Sequence, residues 1–171
     1  VLERHYTAGG FTHTFTRPGY EWDVGVHYIG EETHPKAELR RMFDDITDGE
    51  LKWADMGEVY DTIIIGDDRY ELVKGRDNFK RRMTEYFPDE KEAIDRYVAL
   101  VKQTVRDGQL YFIDKALPPL LSTVLGPLLR RKMLKQARRT TKEVLAEITD
   151  NPRLRAVLAG QYGDYGLPPS Q

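Results

Sequence analysis

The spacing of apolar residues shifts along the chain from two to three and four, and the shifts mark out its elements. Phe11-Thr12-His13-Thr14-Phe15 alternates apolar and polar positions and is rich in aromatic and β-branched residues, so it reads as extended structure. Arg17-Pro18-Gly19-Tyr20 is a turn signal. Trp22, Val24, Val26 and Tyr28 then share one side of a second extended stretch, whose glycines suit backbone that something else approaches closely. From Pro35 to about Thr47 the period becomes helical, through Leu39, Met42, Phe43 and Ile46, with Pro35 at the first helical position and Gly49 as C-terminal cap. Val59 to Ile65 and Tyr70 to Val73 form a hairpin, broken at Gly66-Asp67-Asp68.

From Asp77 onward the pattern is helical almost to the end. Phe79, Met83, Tyr86 and Phe87 make one stripe. Ile94, Tyr97, Val98, Val101 and Val105 make another, which Asp107-Gly108 is expected to close. Thr140 to Ile148 continues a helix, and Asn151-Pro152 caps one more that runs to about Ala159. Gly160 to Pro169 holds too many glycines for regular structure and reads as a loop. The expected fold class is therefore α+β, with short β segments and a hairpin followed by a mainly helical half.

One segment departs from this amphipathic pattern. Residues 115–142 contain no acidic residue; Ala116 to Leu129 is apolar and interrupted by prolines, and Arg130-Arg131-Lys132 follows directly. Two readings fit. The segment can be an internal helical hairpin with a solvated basic face. Alternatively, Leu120, Leu121 and Leu125 can dip into a headgroup layer while Arg130, Arg131 and Lys132 meet anionic lipid.

Composition narrows the chemistry. The net charge of −2 offers no basic excess for nucleic acid. With no cysteine, disulfides, thiolate metal sites and cysteine nucleophiles are excluded, and His5, His13, His27 and His34 lack metal-ligand spacing. The chain has neither a signal peptide nor an apolar run of about 20 residues, so no spanning helix is expected, and a cytoplasmic or peripheral-membrane location is.

Candidate binding residues gather at the start. Val1-Leu2-Glu3 reads as the end of the second strand of a dinucleotide-binding unit, where a carboxylate accepts hydrogen bonds from ribose hydroxyls. A surface carboxylate explains Glu3 equally simply. Gly9-Gly10 lets backbone N–H groups approach a phosphate or a flat ring, although a tight turn uses the same pair. Gly25 can pass under a ligand with His27 and Tyr28 at its rim, and His27 is the candidate proton donor against a purely structural role. The glycine-rich phosphate turn expected about 20 residues before Glu3 is not in this sequence, nor is an initiating Met, so the chain reads as an excerpt of a larger nucleotide-cofactor enzyme.

At these residues the chain resembles a known family. Leu2-Glu3-Arg4-His5, Ala8-Gly9-Gly10 and Thr14-Phe15 resemble the stretch after the first FAD-binding turn of the phytoene desaturase and carotenoid isomerase group. Gly19 to Gly30 and Ala159 to Pro169 are closer to its all-trans-retinol 13,14-reductase (retinol saturase) branch. The resemblance implies a parent with an α/β FAD-binding fold of glutathione-reductase type, NAD(P)-binding Rossmann-like, and an inserted substrate or lid region. Residues 1–30 would be a remnant of the FAD domain and residues 31–171 the substrate or lid region, mostly helical from about 77. It implies Glu3, Arg4, Gly9, Gly10 and Gly25 at the FAD, and His27, Tyr28, Tyr162 and Tyr165 near the substrate. The expected reaction is saturation, desaturation or isomerisation of a carbon–carbon double bond in an apolar polyene, a retinoid or carotenoid. FAD is expected in the intact parent and not on this excerpt alone; no metal or nucleic-acid partner is expected. Two alternatives remain: a non-enzymatic lipid- or membrane-surface-binding module, and a flavin amine-oxidase-like enzyme, which shares the Glu and Gly-Gly pattern.

Overall fold

A computed structural model describes residues 4–7, 10, 13–25, 28–30, 37–165 and 167–170. They fall into two compact units, residues 1–56 and 57–171. The division by packing thus comes later than residue 30, where the resemblance divides the parent by role. Among the described residues the chain is α+β, with two separate two-stranded antiparallel sheets and helices over most of the remainder.

In the first unit, β1 (Thr14–Arg17) and β2 (Tyr20–Asp23) pair around the Pro18-Gly19 turn. Phe15 lies opposite Trp22, and the Arg17 guanidinium sits 5.3 Å from the Phe15 ring centroid. The second strand is shorter than its alternation suggests. Pairing ends with Val24 N–H donating to His13 C=O, because Gly25 takes a φ of 109° that turns the chain out of the ladder. Val26 lies outside the described residues. Helix α1 (Glu38–Ile46) begins after Ala37, later than expected, and Pro35 lies outside the described residues. Its end is the expected one: Gly49 N–H donates to Asp44 C=O at 2.8 Å. Phe43 meets Trp53 edge to face at 5.1 Å.

The second unit carries the core. Strands β3 (Val59–Ile65) and β4 (Asp68–Val73) form the expected hairpin, and Gly66 has the positive φ (63°) that a type II′ turn requires of its first central residue. Helix α2 (Arg76–Tyr86) follows, then one 3₁₀ turn (Pro88–Glu90) and the long helix α3 (Lys91–Ala116). Tyr70 and Leu72 of β4 pack with Met83, Phe87, Ala93, Ile94, Leu145, Ile148, Leu154 and Val157. These come from β4, α2 and its C-cap Phe87, α3, α5 (Thr141–Ile148) and α6 (Pro152–Leu158). The first expected stripe points into this cluster; of the second, Ile94 is buried in it and Tyr97 packs against it, whereas Val101 and Val105 are exposed. Arg153 ties α6 to the hairpin: its Nε donates to the Tyr70 hydroxyl and its Nη2 to Ile65 C=O, both at 2.9 Å, and it pairs with Asp68.

Three expectations change in this unit. Asp107-Gly108 does not close the second stripe, and α3 runs on to Ala116. The Asp107 carboxylate accepts from Gln103 Nε2 one turn back (2.9 Å) and, with Gly108, is buried within the helix instead of capping it. The helix does not continue unbroken into Thr140 either. Helix α4 (Pro119–Ala137) ends at Arg138, and α5 starts afresh from Thr140, whose hydroxyl and backbone exchange hydrogen bonds with Glu143 as a capping box. The glycine-rich tail also contains one helical turn, α7 (Tyr162–Tyr165). The Asn151 cap is as expected, its side chain accepting from the N–H groups of Arg153 and Leu154.

Gly160 begins the tail because nothing larger fits. A Cβ there would lie 2.6 Å from Ile63 Cδ1 and 2.8 Å from Cγ1. Gly160→Ala is therefore expected to destabilise the chain by about 1–3 kcal/mol in urea unfolding. Adding Ile63→Ala should cost less than the two single changes summed, since it opens the same space.

Asp95 joins α2 to α3, with Lys80 Nζ at 2.5 Å and Lys91 Nζ at 2.8 Å. Hydrogen bonds from Lys80 and then Lys91 hold its pKa below the ordinary carboxylate range. A depressed folded pKa gives stability that is present above the unfolded value and lost as pH falls through the folded one. Asp95→Asn should thus be less stable than the parent chain near neutrality, and the gap should shrink as the pH falls below the ordinary carboxylate value of about 4 in a series of thermal melts.

Candidate functional site

In the first unit the structure brings together a turn of small and aromatic residues. Gly10 is buried and holds a φ of 55°, a conformation that glycine enters without Cβ strain. Its carbonyl lies 2.6 Å from His13 Nδ1. A carbonyl only accepts, so this contact places the proton on Nδ1 and leaves Nε2 facing the Tyr6 hydroxyl at 3.5 Å. The His5 ring stands 4.2 Å from Tyr6 and 4.5 Å from His13. This His5–Tyr6–His13 cluster was not picked out from the sequence, because its members sit in irregular backbone with no period to connect them. Two histidines and a tyrosine flanking a Gly-Gly pair were the available signal.

Other expected cofactor residues are placed less closely. Arg4 is exposed, and Gly25 marks the bend after β2. Tyr28 is partly exposed. Glu3, Gly9 and His27 lie outside the described residues, as does the side chain of Tyr165. Tyr162 is half exposed on α7.

The second unit holds two apolar clefts on α3. One, of about 300 Å³, is lined by Tyr60, Leu72, Phe79, Tyr97, Val101 and Gln161 among others. The second, of about 340 Å³, is lined by Leu100, Val105, Met133 and Val144, and shares Tyr97 and Val101 with the first. Together they run along one face of α3 past two common side chains. Gln161 is the tail residue that reaches a cleft, and its Nε2 donates to Asp61 Oδ2 at 3.0 Å. The clefts are lined from seven elements, β3, β4 and α2 to α6, which no local motif announces.

The basic and apolar segment forms the second arm of a helical hairpin, α3 followed by α4. Leu120, Leu121 and Leu125 are exposed, and so are Arg131 and Lys132. Arg130 is only partly exposed and turns back, its Nε donating to Gly126 C=O (3.2 Å) and lying 3.4 Å from Asp114 Oδ2. Among the described residues no cluster of His, Asp and Glu could hold a metal ion, and no helix is long and apolar enough to cross a membrane.

No protein-family model matches the chain, and no solved structure matches it significantly. Curated proteins do. The chain is 36% identical over its full length to all-trans-retinol 13,14-reductase of Danio rerio and 35% identical over 99% of its length to that of Rattus norvegicus. It is also 29% identical to a Danio rerio protein named inactive all-trans-retinol 13,14-reductase. The chain spans 29% of the length of each. From one end to the other it is similar to a segment of the all-trans-retinol 13,14-reductases, the branch that its two terminal motifs resemble.

Proposed function

We propose that the protein carrying this segment is an FAD-dependent oxidoreductase that saturates a carbon–carbon double bond of a retinoid, with residues 31–171 serving as its substrate or lid region. The observation that carries the reading is the full-length similarity to proteins named for that reaction on retinol. Desaturation and isomerisation of a polyene use the same kind of scaffold, and the relatives' names favour saturation.

The described part of the first unit fits a flavin nucleotide. Arg4 offers an exposed cation, and Gly10 and Gly25 carry backbone at positive φ with no Cβ to block close approach. Arg4, Gly10 and Gly25, with Glu3 and Gly9, would hold the nucleotide, and reduced flavin supplies the hydride equivalent when bound. The chain's own residues then bind and orient. His27 and Tyr28 would sit beside the reacting end of the polyene, with Tyr162 and Tyr165 along the substrate. The α3 clefts would take an apolar chain and keep water from it.

One Danio rerio relative is named all-trans-retinol 13,14-reductase and another inactive all-trans-retinol 13,14-reductase, so turnover is the deciding measurement. The full-length protein is expected to purify with a flavin absorption spectrum and, given a reductant, to convert all-trans-retinol to its 13,14-dihydro product. A flavin-free protein after reconstitution, or one that leaves retinol unchanged, would contradict the reading. Val101→Asp places a carboxylate where the two clefts meet, at a half-exposed position outside the buried core. It should lower kcat/KM for retinol by roughly tenfold or more with the flavin spectrum intact.

A further inference from the structure

The distal half of the α3–α4 hairpin has its polarity reversed. Its buried residues are Asp107, Gly108, Asp114 and Gly126, while Phe112, Ile113, Leu120, Leu121, Val124, Leu125 and Leu128 are exposed. Leu120 is 84% exposed, Val124 76% and Leu128 72%, whereas Asp114 is 1% exposed. In water such an arrangement leaves a large apolar surface without cover among the described residues. In lipid it is the expected one: polar side chains face the helix interface, small residues let the backbones close together, and apolar side chains face the hydrocarbon.

Polar groups near the tip find partners within the hairpin, and Asp114 Oδ2, which accepts no hydrogen bond, lies 3.4 Å from Arg130 Nε. Asp114 Oδ1 accepts from the Ser122 hydroxyl at 2.7 Å, and the Thr123 hydroxyl donates to Pro119 C=O at 2.8 Å. Close packing at Gly126 keeps the acid inside, since a Cβ there would lie 2.5 Å from Asp114 Oδ1. The connecting turn presents few donors, because Pro118 and Pro119 have no N–H and Leu117 N–H bonds to Asp114 C=O. Lys115 folds back toward Tyr111, its ammonium 5.3 Å from the ring centroid and directed away from the tip.

Length and charge agree with one occupant. The apolar run Pro119 to Leu129 spans about 16 Å of helix, close to the roughly 15 Å thickness of one hydrocarbon leaflet. Beyond it come Arg131, Lys132, Lys135 and Arg138, with Lys102 and Arg106 on the antiparallel helix. Residues 115–142 hold eight basic residues and no acidic one, in a chain with 26 basic and 28 acidic residues overall.

We infer that the α3–α4 hairpin inserts its tip into one leaflet of an anionic phospholipid bilayer, with Phe112, Leu120, Val124 and Leu128 in the hydrocarbon and Arg131, Lys132 and Lys135 among the headgroups. This docking goes beyond the redox reading and stands whether or not a retinoid is the substrate.

The absence of cysteine makes a single label unambiguous. Leu120→Cys, Val124→Cys and, as control, the exposed Glu92→Cys are each labelled with an environment-sensitive fluorophore and mixed with phosphatidylcholine vesicles, with or without phosphatidylserine. The chain is expected to co-float with the phosphatidylserine vesicles. Labels at 120 and 124 should shift to the blue, and the label at 92 should not. Arg131→Glu with Lys132→Glu, both at exposed positions, should weaken that binding by about 30-fold or more with an unchanged circular dichroism spectrum. If those two changes alter the spectrum, Leu120→Ser replaces them and is expected to weaken flotation. The full-length protein carrying this segment is expected to float with the same vesicles, and to lose that binding on Arg131→Glu with Lys132→Glu. No flotation, flotation without the shift at 120 and 124, the same shift with no vesicles present, or flotation of the segment but not of the full-length protein would each overturn the inference, the last two by assigning the face to a second copy of the chain or to the rest of the protein.

Discussion

The carboxylate of Asp114 is the contact on which the distal hairpin depends. It is enclosed between two helices, held by the Ser122 hydroxyl and by the Arg130 guanidinium, and roofed by Gly126. Removing one partner of such a pair leaves a buried charge without compensation, at a cost of about 3–5 kcal/mol. Because polar groups occupy the interface, the leucines, valines and Phe112 have no interior left to fill and face outward. One helix therefore serves two environments. At its start α3 buries Ala93 and Ile94 in the core, and near its end it buries Asp107 and Asp114 while exposing Phe112 and Ile113.

That division also places the clefts. Tyr97, Val101 and Val105 lie on the stretch of α3 between the packed core and the hairpin tip, where apolar side chains are only partly covered. In the proposed reading, a polyene drawn from lipid would meet the tip first and the apolar face of α3 next. The same helix would then serve entry and enclosure.

Much of this was legible in the sequence where periodicity follows burial. The stripe Phe79, Met83, Tyr86, Phe87 and the β3–β4 hairpin were readable because one face of each meets the core and the turn chemistry at Gly66 is local. The Asn151 cap was readable for the same reason. Legibility failed where a residue's usual meaning was reversed. Asp107-Gly108 looks like a helix stop because acids and glycines favour ends, yet here both are packed inside a continuing helix. The prolines of 118–127 look like breaks, yet Pro119 takes the first helical position, where no N–H is needed, and Pro127 lies within one helix. The clefts and the histidine cluster depend on residues far apart or aperiodic in the chain, so no spacing rule reaches them. The family resemblance came from the two terminal motifs, and the comparisons extend it across the middle.

Hydrogen exchange of the chain with and without phosphatidylserine vesicles tests the reversed hairpin most directly. The account predicts that amides in residues 110–130 slow markedly when vesicles are added, while those of β3, β4 and α2 keep their rates. Unchanged exchange across 110–130 at vesicle concentrations that float the protein would show that the exposed apolar face is not what meets lipid, and would contradict the account.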